Sequence, residues 1–146
     1  MPSLNRSLNV IGRCGTLFRA KRLEGTGVDA SNYFYLFYIC RNPGISQEAL
    51  SRALYVNKSS VTRHLSRLES AGLLTRTPSP EDRRVLLVAP TEKALTMLPF
   101  LREIGGDWLR ALTAGFTEAE TAQFESLLAR ALENAERAAE EVAQCD

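Results

Sequence analysis

Residues 57–72 constrain the fold more than any other stretch, because both ends of one helix are marked within them. Asn57 is a good N-cap, since its side-chain oxygen can accept a hydrogen bond from a free amide of the first turn. Gly72 can adopt the left-handed conformation that ends a helix, and Leu73 can then fold back on Leu68. The stretch therefore predicts one helix whose two ends are set by its own residues.

The predicted helix has an apolar face and a cationic face. At about 100° per residue, Val61, Leu65 and Leu68 fall on one stripe that faces a core. The opposite face and its flanks carry hydroxyls and cations, namely Ser59, Ser60, Thr62, Arg63, Ser66 and Arg67. The first carboxylate of this face is Glu69, near the end of the helix. Hydroxyls and cations suit phosphates and base edges, so this helix is predicted to read DNA, with Arg63 as its strongest candidate contact.

Two helices are predicted immediately before it. Residues 33–40 are apolar or aromatic at every position, which fits a buried helix or a buried strand. We favour a helix, because no hairpin partner follows and the neighbouring segments read as helices. Ser46 can cap the next helix, and only Tyr55 and Val56 then separate that helix from the cationic one. Two short helices joined so tightly predict a helix-turn-helix.

A two-stranded wing is predicted to follow. Residues 73–77 can form a short strand, residues 78–82 a turn and residues 83–89 a returning strand. Arg83 and Arg84 lie at the tip of this ribbon, where long cationic side chains can enter a minor groove. The fold class is therefore mainly α with a small two-stranded β wing, a winged helix-turn-helix.

Further helices are predicted on both sides of this lobe. Residues 4–22 repeat apolar side chains at helical spacing, and Thr91 can cap a later helix that the glycines at 105–106 are expected to weaken. Residues 118–143 predict a long amphipathic helix with little domain left to bury it. Pairing with a second copy of the chain would cover that helix, which predicts a homodimer.

Net charge is only +1 over 146 residues, but it is unevenly distributed. Residues 45–85 hold seven basic and four acidic residues, whereas residues 100–146 hold four basic and ten acidic residues. This asymmetry is typical of a chain in which one region meets a polyanion, although solvation of helix faces explains it equally well. We expect one compact chain with an N-terminal dimerisation helix and linker (1–30), a winged helix-turn-helix lobe (31–95) and C-terminal dimerisation helices (96–146).

Other classes of protein are disfavoured. No apolar run approaches the roughly 20 residues of a membrane span, and the start lacks a signal-peptide pattern, so a cytoplasmic protein without a membrane partner is expected. Cys14, Cys40 and Cys145 form neither a disulfide framework nor a metal-ligand pattern, and His64 is the only histidine. No metal or cofactor is therefore expected. No nucleophile or carboxylate pattern accompanies His64, which predicts a packing or phosphate-contacting residue and not an enzyme.

Several motifs carry a resemblance to a known family. They are Pro-Gly-Ile-Ser-Gln-Glu-Ala-Leu (43–50), Val-Asn-Lys-Ser-Ser-Val-Thr-Arg-His-Leu (56–65), Leu-Glu-Ser-Ala-Gly-Leu-Leu-Thr-Arg (68–76), Pro-Glu-Asp-Arg-Arg (80–84) and Pro-Thr-Glu-Lys (90–93). Through them, residues 30–95 resemble the MarR family of winged helix-turn-helix transcription regulators. The chain departs from the family at Pro90 and Ala94, where leucine and glycine are frequent, and neither position faces DNA.

The resemblance implies an intertwined helical homodimer whose two lobes read a palindromic operator on double-stranded DNA. Together with the helix face described above, it indicates DNA contacts from Gln47, Lys58, Ser59, Ser60, Thr62, Arg63, Arg67, Arg83 and Arg84. It also implies that Asp82 braces an arginine. Family members commonly repress nearby genes, and many release DNA when a small phenolic or lipophilic molecule, or an oxidant, reaches a site between the dimer region and the lobe.

Two finer hypotheses concern the first two helices. Arg13, Tyr33 and Phe37 are candidates for the effector pocket that the resemblance implies, although the aromatic run is first of all core. Cys14 lies where the oxidant-sensing branch of the family keeps its reactive thiol, but a buried and inert thiol is the preferred interpretation. Two alternative functions stay open, a thiol-based redox-sensing regulator that uses Cys14 and a winged-helix protein-interaction module without DNA binding.

Overall fold

A computed structural model of the protein describes residues 3–143. Along the chain it contains the helices α1 (Leu4–Arg22), α2 (Tyr33–Arg41), α3 (Gln47–Ala53), α4 (Lys58–Ser70), α5 (Glu92–Leu112) and α6 (Glu118–Ala143), and the strands β1 (Ile45–Ser46), β2 (Leu74–Pro78) and β3 (Leu86–Pro90). Of the described residues, 3–108 form one compact unit and 109–143 form a second. Within residues 3–143, no helix is both long and apolar enough to cross a membrane.

The ends of α4 form as predicted. Asn57 Oδ1 accepts a 2.8 Å hydrogen bond from the amide of Ser60, which satisfies one free donor of the first turn. At the other end Gly72 has a φ of +70°, and the amide of Leu73 donates to the carbonyl of Leu68 at 2.9 Å. These two caps set the length of α4 and turn the chain directly into β2.

The core of the first unit lies against the apolar stripe of α4. Val61, Leu65 and Leu68 are at most 1 % exposed. They share one cluster with buried side chains from the other elements, including Leu36, Ile39, Leu50, Leu73, Val88, Leu101 and Ile104. Residues 33–40 are helical, as favoured, and α2 buries five of its nine residues in this cluster. Each large buried side chain stabilises the fold by about 1.5–3 kcal/mol, so the cluster keeps the cationic face of α4 turned outward.

β3 is the central strand of a three-stranded antiparallel sheet of order β1-β3-β2. Val88 of β3 opposes Arg76 of β2 on one edge and Ile45 of β1 on the other. The sheet therefore has one strand more than the predicted two-stranded wing. A strand of two residues is too short to show an alternating pattern, which is why β1 is not evident in the sequence.

The return strand begins at Leu86, whereas the sequence predicted a start at Arg83. The amide of Val85 donates to the carbonyl of Asp82 at 2.9 Å, which closes a turn ahead of the strand. Arg83 and Arg84 lie inside this turn and not in the strand.

α5 runs without a break through residues 105–106, so the expected weak point does not interrupt it. A Cβ added to Gly105 would lie 3.0 Å from the hydroxyl of Tyr33, and a Cβ added to Gly15 would lie 3.1 Å from the ring of Trp108. Both glycines thus permit close packing, of α5 against α2 and of α1 against α5.

The second unit consists mainly of α6. The amide of Thr117 donates to Glu120 Oε2 at 2.8 Å, and the amide of Glu120 donates to Thr117 Oγ1 at 3.2 Å, which is the predicted capping box. Phe116 and Phe124 meet edge to face with ring centroids 5.9 Å apart. The large apolar side chains further along α6 are exposed, including Leu127, Leu128 and Leu132.

Candidate nucleic-acid interface

The predicted contact residues of α4 lie on its solvent side. Lys58, Ser59, Thr62, Arg63 and Arg67 are exposed, and Ser60 is half-buried. The buried stripe of Val61, Leu65 and Leu68 occupies the other side of the helix. The outward face of α4 is therefore open to a partner.

The first turn of α4 combines a helix N-terminus with a cation. Lys58 is exposed, and its Nζ lies 3.4 Å from Glu48 Oε1. The Ser59 hydroxyl donates to Asn57 Oδ1 at 2.8 Å, and the Thr62 hydroxyl donates to the carbonyl of Lys58 at 3.0 Å. The oxygen atoms of both hydroxyls keep lone pairs that can accept. First-turn amides beside a lysine can hold a phosphate.

Arg76 of β2 ties the wing to both helices of the helix-turn-helix. Its side chain is 18 % exposed, and its Nη2 lies 2.5 Å from Glu69 Oε2 and 3.2 Å from Ser66 Oγ. Its Nη1 donates to Gln47 Oε1 at 3.4 Å. The hydrogen bonds from Arg76 hold the pKa of Glu69 below its ordinary value. Glu69, the one carboxylate on the outward face of α4, is thus paired. Gln47, at the start of α3, is joined to β2 through the same arginine.

The wing tip places two cations in its turn. Arg83 and Arg84 are exposed. Asp82 Oδ1 accepts a 2.9 Å hydrogen bond from the backbone amide of Arg84. Asp82 therefore holds Arg84 through its backbone amide, which the tight turn brings close to the carboxylate.

An open cleft of about 210 Å³ lies where the wing meets the starts of α3 and α4. It is lined by Gln47, Glu48, Lys58, Arg84, Val85 and Leu86. Three residues that the sequence predicted as DNA contacts, from three different elements, are therefore brought together at one place.

The arrangement has counterparts among known proteins. A family model described as MarR family matches residues 26–85. The uncharacterized HTH-type transcriptional regulator YybA of Bacillus subtilis (strain 168) is 29 % identical over 137 residues, which are 94 % of this chain and 91 % of that protein. A crystal structure of MarR has a TM-score of 0.89 to this chain at 29 % identity, covering 95 % of each. A putative MarR family regulator from Listeria monocytogenes, solved in complex with 26mer DNA, has a TM-score of 0.86 at 26 % identity and covers 94 % of this chain and 91 % of that one.

The protein is a DNA-binding transcriptional regulator. Its residues 26–85 match the MarR family, and the likeness to the MarR crystal structure confirms the predicted winged helix-turn-helix. The regulator is not an enzyme. The alternative of an interaction module without DNA binding is accordingly set aside.

In this regulator His64 packs between α4 and α2. Its Nδ1 lies 2.5 Å from Asn32 Oδ1, and its ring stacks on Tyr35 with centroids 4.5 Å apart. Burial lowers the pKa of His64, the neighbouring Arg63 lowers it further, and Asp29 opposes both. Of the two roles expected for this histidine, packing and phosphate contact, the contacts with Asn32 and Tyr35 correspond to packing.

Acid is expected to destabilise the protein through His64. Because folding lowers its pKa, its contribution to stability is complete above about pH 6.5 and is lost as the pH falls through the folded-state value. We expect the free energy of unfolding in urea to fall between about pH 7 and pH 5, by at most about 1.4 kcal/mol per pH unit. The lowered pKa values of Asp29 and Glu69 place their titration below this window. The variant His64→Asn should show a flatter profile, and an equal slope in both proteins would contradict the assignment.

The predicted effector residues do not form one site. Tyr33 is buried, its hydroxyl donates to the carbonyl of Leu101 at 2.7 Å, and Phe37 stacks on its ring with centroids 6.0 Å apart. Arg13 is exposed, and the cation over Tyr33 is Arg19, whose guanidinium carbon lies 5.6 Å from the ring centroid. Six residues correspond to about 240° around a helix, so the two arginines project from different sides of α1.

Arg19, which the sequence did not single out, is incompletely paired. It is 7 % exposed, Nη2 donates to Thr16 Oγ1 at 3.4 Å, and Nε has no hydrogen-bond partner within the described residues. Its guanidinium carbon lies 4.6 Å from the ring centroid of Phe34. Burial lowers the pKa of Arg19, which Tyr33 partly opposes. A buried cation in such surroundings is unfavourable until an anion pairs with it.

The cysteines differ in their surroundings. Cys14 is exposed in this chain, so the preferred interpretation of a buried thiol is wrong. Cys40 is buried, and burial raises the pKa of its thiol, which makes it less reactive. Cys145 lies outside the described residues. Among residues 3–143, no group of three or more His, Cys, Asp or Glu side chains is placed to hold a metal ion.

Proposed function

We propose that this regulator binds a palindromic operator as a homodimer and represses transcription of nearby genes. The observation that carries the proposal is that the cations of α4 and the wing belong to one lobe, whose parts are held together by Arg76. The Listeria relative solved with DNA supports operator binding by this architecture. Repression is the role that the family resemblance favours.

Each element of the lobe takes its own part in the proposed complex. Arg63 and Ser59 face the bases of the major groove, while Lys58 and the first-turn amides hold a phosphate. Arg83 and Arg84 approach the neighbouring minor groove from the wing. The remaining contacts, divided between bases and backbone, come from Gln47, Ser60, Thr62 and Arg67.

The homodimer is supported by apolar side chains that one chain leaves in solvent. Leu4, Leu8 and Leu17 of α1 are exposed, as are the leucines of α6 named above. Covering such stripes with a second copy yields a twofold assembly, which matches a palindromic site. Half-sites should then lie roughly 34–36 Å apart on one face of the duplex.

The test is a gel shift with the DNA region upstream of the protein's own gene at low salt. We expect a shifted band that unlabelled fragment competes away and a scrambled fragment does not, and a footprint with two half-sites. A protein that shifts no fragment at low salt would contradict the proposal. Raised transcript levels in a deletion strain would support repression, and lowered levels would overturn it.

Glu48 should weaken DNA binding, because its Oε1 lies 3.4 Å from both Lys58 and Arg52. Two unit charges about 4 Å apart interact by about 1 kcal/mol in water, so Glu48→Gln should tighten binding to every sequence by up to about fivefold at low salt. Fluorescence anisotropy with operator and scrambled duplexes at low and high salt measures the effect. The matched control is Glu133→Gln on the exposed side of α6, which should bind as the wild type does. Unchanged affinity in Glu48→Gln would show that Lys58 meets no phosphate.

Release of DNA by a small phenolic acid is the second part of the proposal, and it is supported by Arg19. A carboxylate offers its unpartnered Nε an acceptor and neutralises a buried charge. The exposed ring of Phe34, next to the guanidinium, can stack on an aromatic ligand. Arg19 thus takes the role in the effector pocket that the sequence assigned to Arg13. Its guanidinium lies over the ring of Tyr33, and Phe37 stacks on that ring.

The variant Arg19→Met tests this part with 4-hydroxybenzoate as ligand and 4-hydroxybenzamide as its neutral counterpart. In the wild type, millimolar benzoate should raise the melting temperature and weaken operator binding, whereas the benzamide should do neither. Arg19→Met should lose the response and keep operator binding. A response to both ligands, an equal response in the variant, or none in the wild type would contradict the proposed effector.

A further inference from the structure

The segment that leads into α2 touches α4 through a buried asparagine. Asn32 is 2 % exposed, and its Oδ1 lies 2.5 Å from His64 Nδ1. Its Nδ2 donates to Asp29 Oδ2 at 3.1 Å, and its backbone amide donates to Asp29 Oδ1 at 2.9 Å. A carboxylate, an amide and an imidazole thus form a chain of hydrogen bonds that ends on α4.

The direction of each bond follows from Asp29. An ionised carboxylate only accepts, so the NH₂ group of Asn32 faces Asp29 and its oxygen faces the imidazole. His64 must therefore carry a proton on Nδ1 and donate it to Asn32. Because the ring also stacks on Tyr35, both its plane and its proton position are set by neighbours outside α4.

The same carboxylate reaches the outward side of α4. Asp29 Oδ2 lies 3.7 Å from Arg67 Nη1, and Arg67 lies about one turn after His64. Hydrogen bonds tolerate a narrow range of distances and angles, so they restrict rotation of a helix more than an apolar contact does. Such a buried series of hydrogen bonds adds little net stability once the desolvation of its polar groups is counted. Its main effect is to fix the position of α4.

We propose that Asn32, oriented by Asp29, is a positioning residue for DNA reading, which holds His64 as the Nδ1–H tautomer and thereby sets the rotation of α4 about its axis. The inference rests on the proposed function, in which the outward face of α4 meets bases. Asn32 itself touches no DNA. A small rotation of α4 moves Arg63 and Ser59 away from base edges but leaves the cations close to phosphates, so discrimination between sequences falls while general affinity remains.

The first test replaces Asn32 by leucine, which has nearly the same shape but no hydrogen bonds. The ratio of operator affinity to scrambled-duplex affinity should fall about fivefold or more, the size of one weak base contact, while the affinity for scrambled DNA stays within about twofold. The matched control is Asn42→Leu at the other end of α2, where the side chain donates to the carbonyl of Tyr38. That control should keep the wild-type ratio.

A second readout follows the tautomer directly. His64 is the only histidine of the chain, so a long-range ¹H–¹⁵N correlation spectrum contains one pair of ring nitrogens. We expect a protonated Nδ1 and a bare Nε2 in the wild type at neutral pH, and a shift toward the Nε2–H form in Asn32→Leu. A merely structural role for Asn32 would not change this proton position in a folded variant.

The pair His64→Asn and His64→Leu keeps the proposal testable if Asn32→Leu does not fold. The amide nitrogen of asparagine can replace Nδ1 as donor, so His64→Asn should retain the affinity ratio and His64→Leu should lose it. An Nε2–H tautomer in the wild type, or an unchanged ratio in Asn32→Leu, would overturn the inference. If the wild type itself does not discriminate between duplexes, the proposed function fails, and the tautomer measurement still decides whether Asn32 positions His64.

Discussion

Replacing Arg63 by alanine is expected to reduce operator affinity by about 1–3 kcal/mol per half-site. The side chain is exposed and lies opposite the buried stripe of α4, so its removal leaves the core unchanged. The proposed homodimer carries the change twice, which should make the total loss among the largest of any surface substitution. Fluorescence anisotropy with operator and scrambled duplexes over a series of salt concentrations measures it.

The salt series distinguishes the two roles that Arg63 can have. If the guanidinium contacts a base, affinity for the operator falls and the salt dependence hardly changes. If it contacts only phosphate, affinity falls on all sequences and the salt slope decreases by about one ion per subunit. Arg130→Ala on the exposed side of α6 is the matched control and should do neither. Wild-type affinity in Arg63→Ala would contradict the proposal that α4 contacts DNA through Arg63.

Replacing Arg76 by methionine should both destabilise the fold and impair operator binding. The substitution leaves Glu69 Oε2, Ser66 Oγ and Gln47 Oε1 without the donor that now joins them. Hydrogen bonds to charged groups contribute about 1.5–3 kcal/mol each, but the side chain of Glu69 is 40 % exposed, and solvent screens that pair. We therefore expect a net loss of about 2 kcal/mol in urea unfolding.

Operator binding should fall further than stability alone explains, because the wing is no longer held at the start of α3 and the side of α4. A loss of about tenfold or more, at a temperature where the variant is fully folded, is expected. Arg76→Lys keeps the charge but lacks the planar fork that reaches three partners, so it should resemble Arg76→Met. Arg102→Met, an exposed arginine of α5, is the control. Stable, wild-type binding by Arg76→Lys would show that charge alone is needed.

The parts of the fold that the sequence predicts are those with local signals. Asn57, Gly72 and Thr117 act within a few residues of their own position, so both ends of α4 and the start of α6 follow from the chain itself. The apolar stripe of α4 likewise defines the outward face. The recognition surface can therefore be proposed before any tertiary contact is known.

The missing parts depend on partners that are distant in sequence. Arg76 is one of several cations in the sequence, and only folding brings it to Gln47, which lies 29 positions away. Nothing in the sequence distinguishes Arg13 from Arg19 as a buried cation of α1. The close packing of Gly15 against Trp108 sets which side of α1 turns inward, and that side carries Arg19. The exposure of Cys14 similarly follows from which side of α1 turns inward.

The strand order β1-β3-β2 also bears on how the wing avoids aggregation. An edge strand presents unpaired backbone groups that can recruit a strand from another molecule. Here β1 is only two residues long, and β2 ends in Pro78, which has no amide hydrogen to donate. Neither edge offers a long template for intermolecular β-pairing. The wing can thus stand in solvent at high protein concentration, and in the proposed homodimer self-association is confined to the helices.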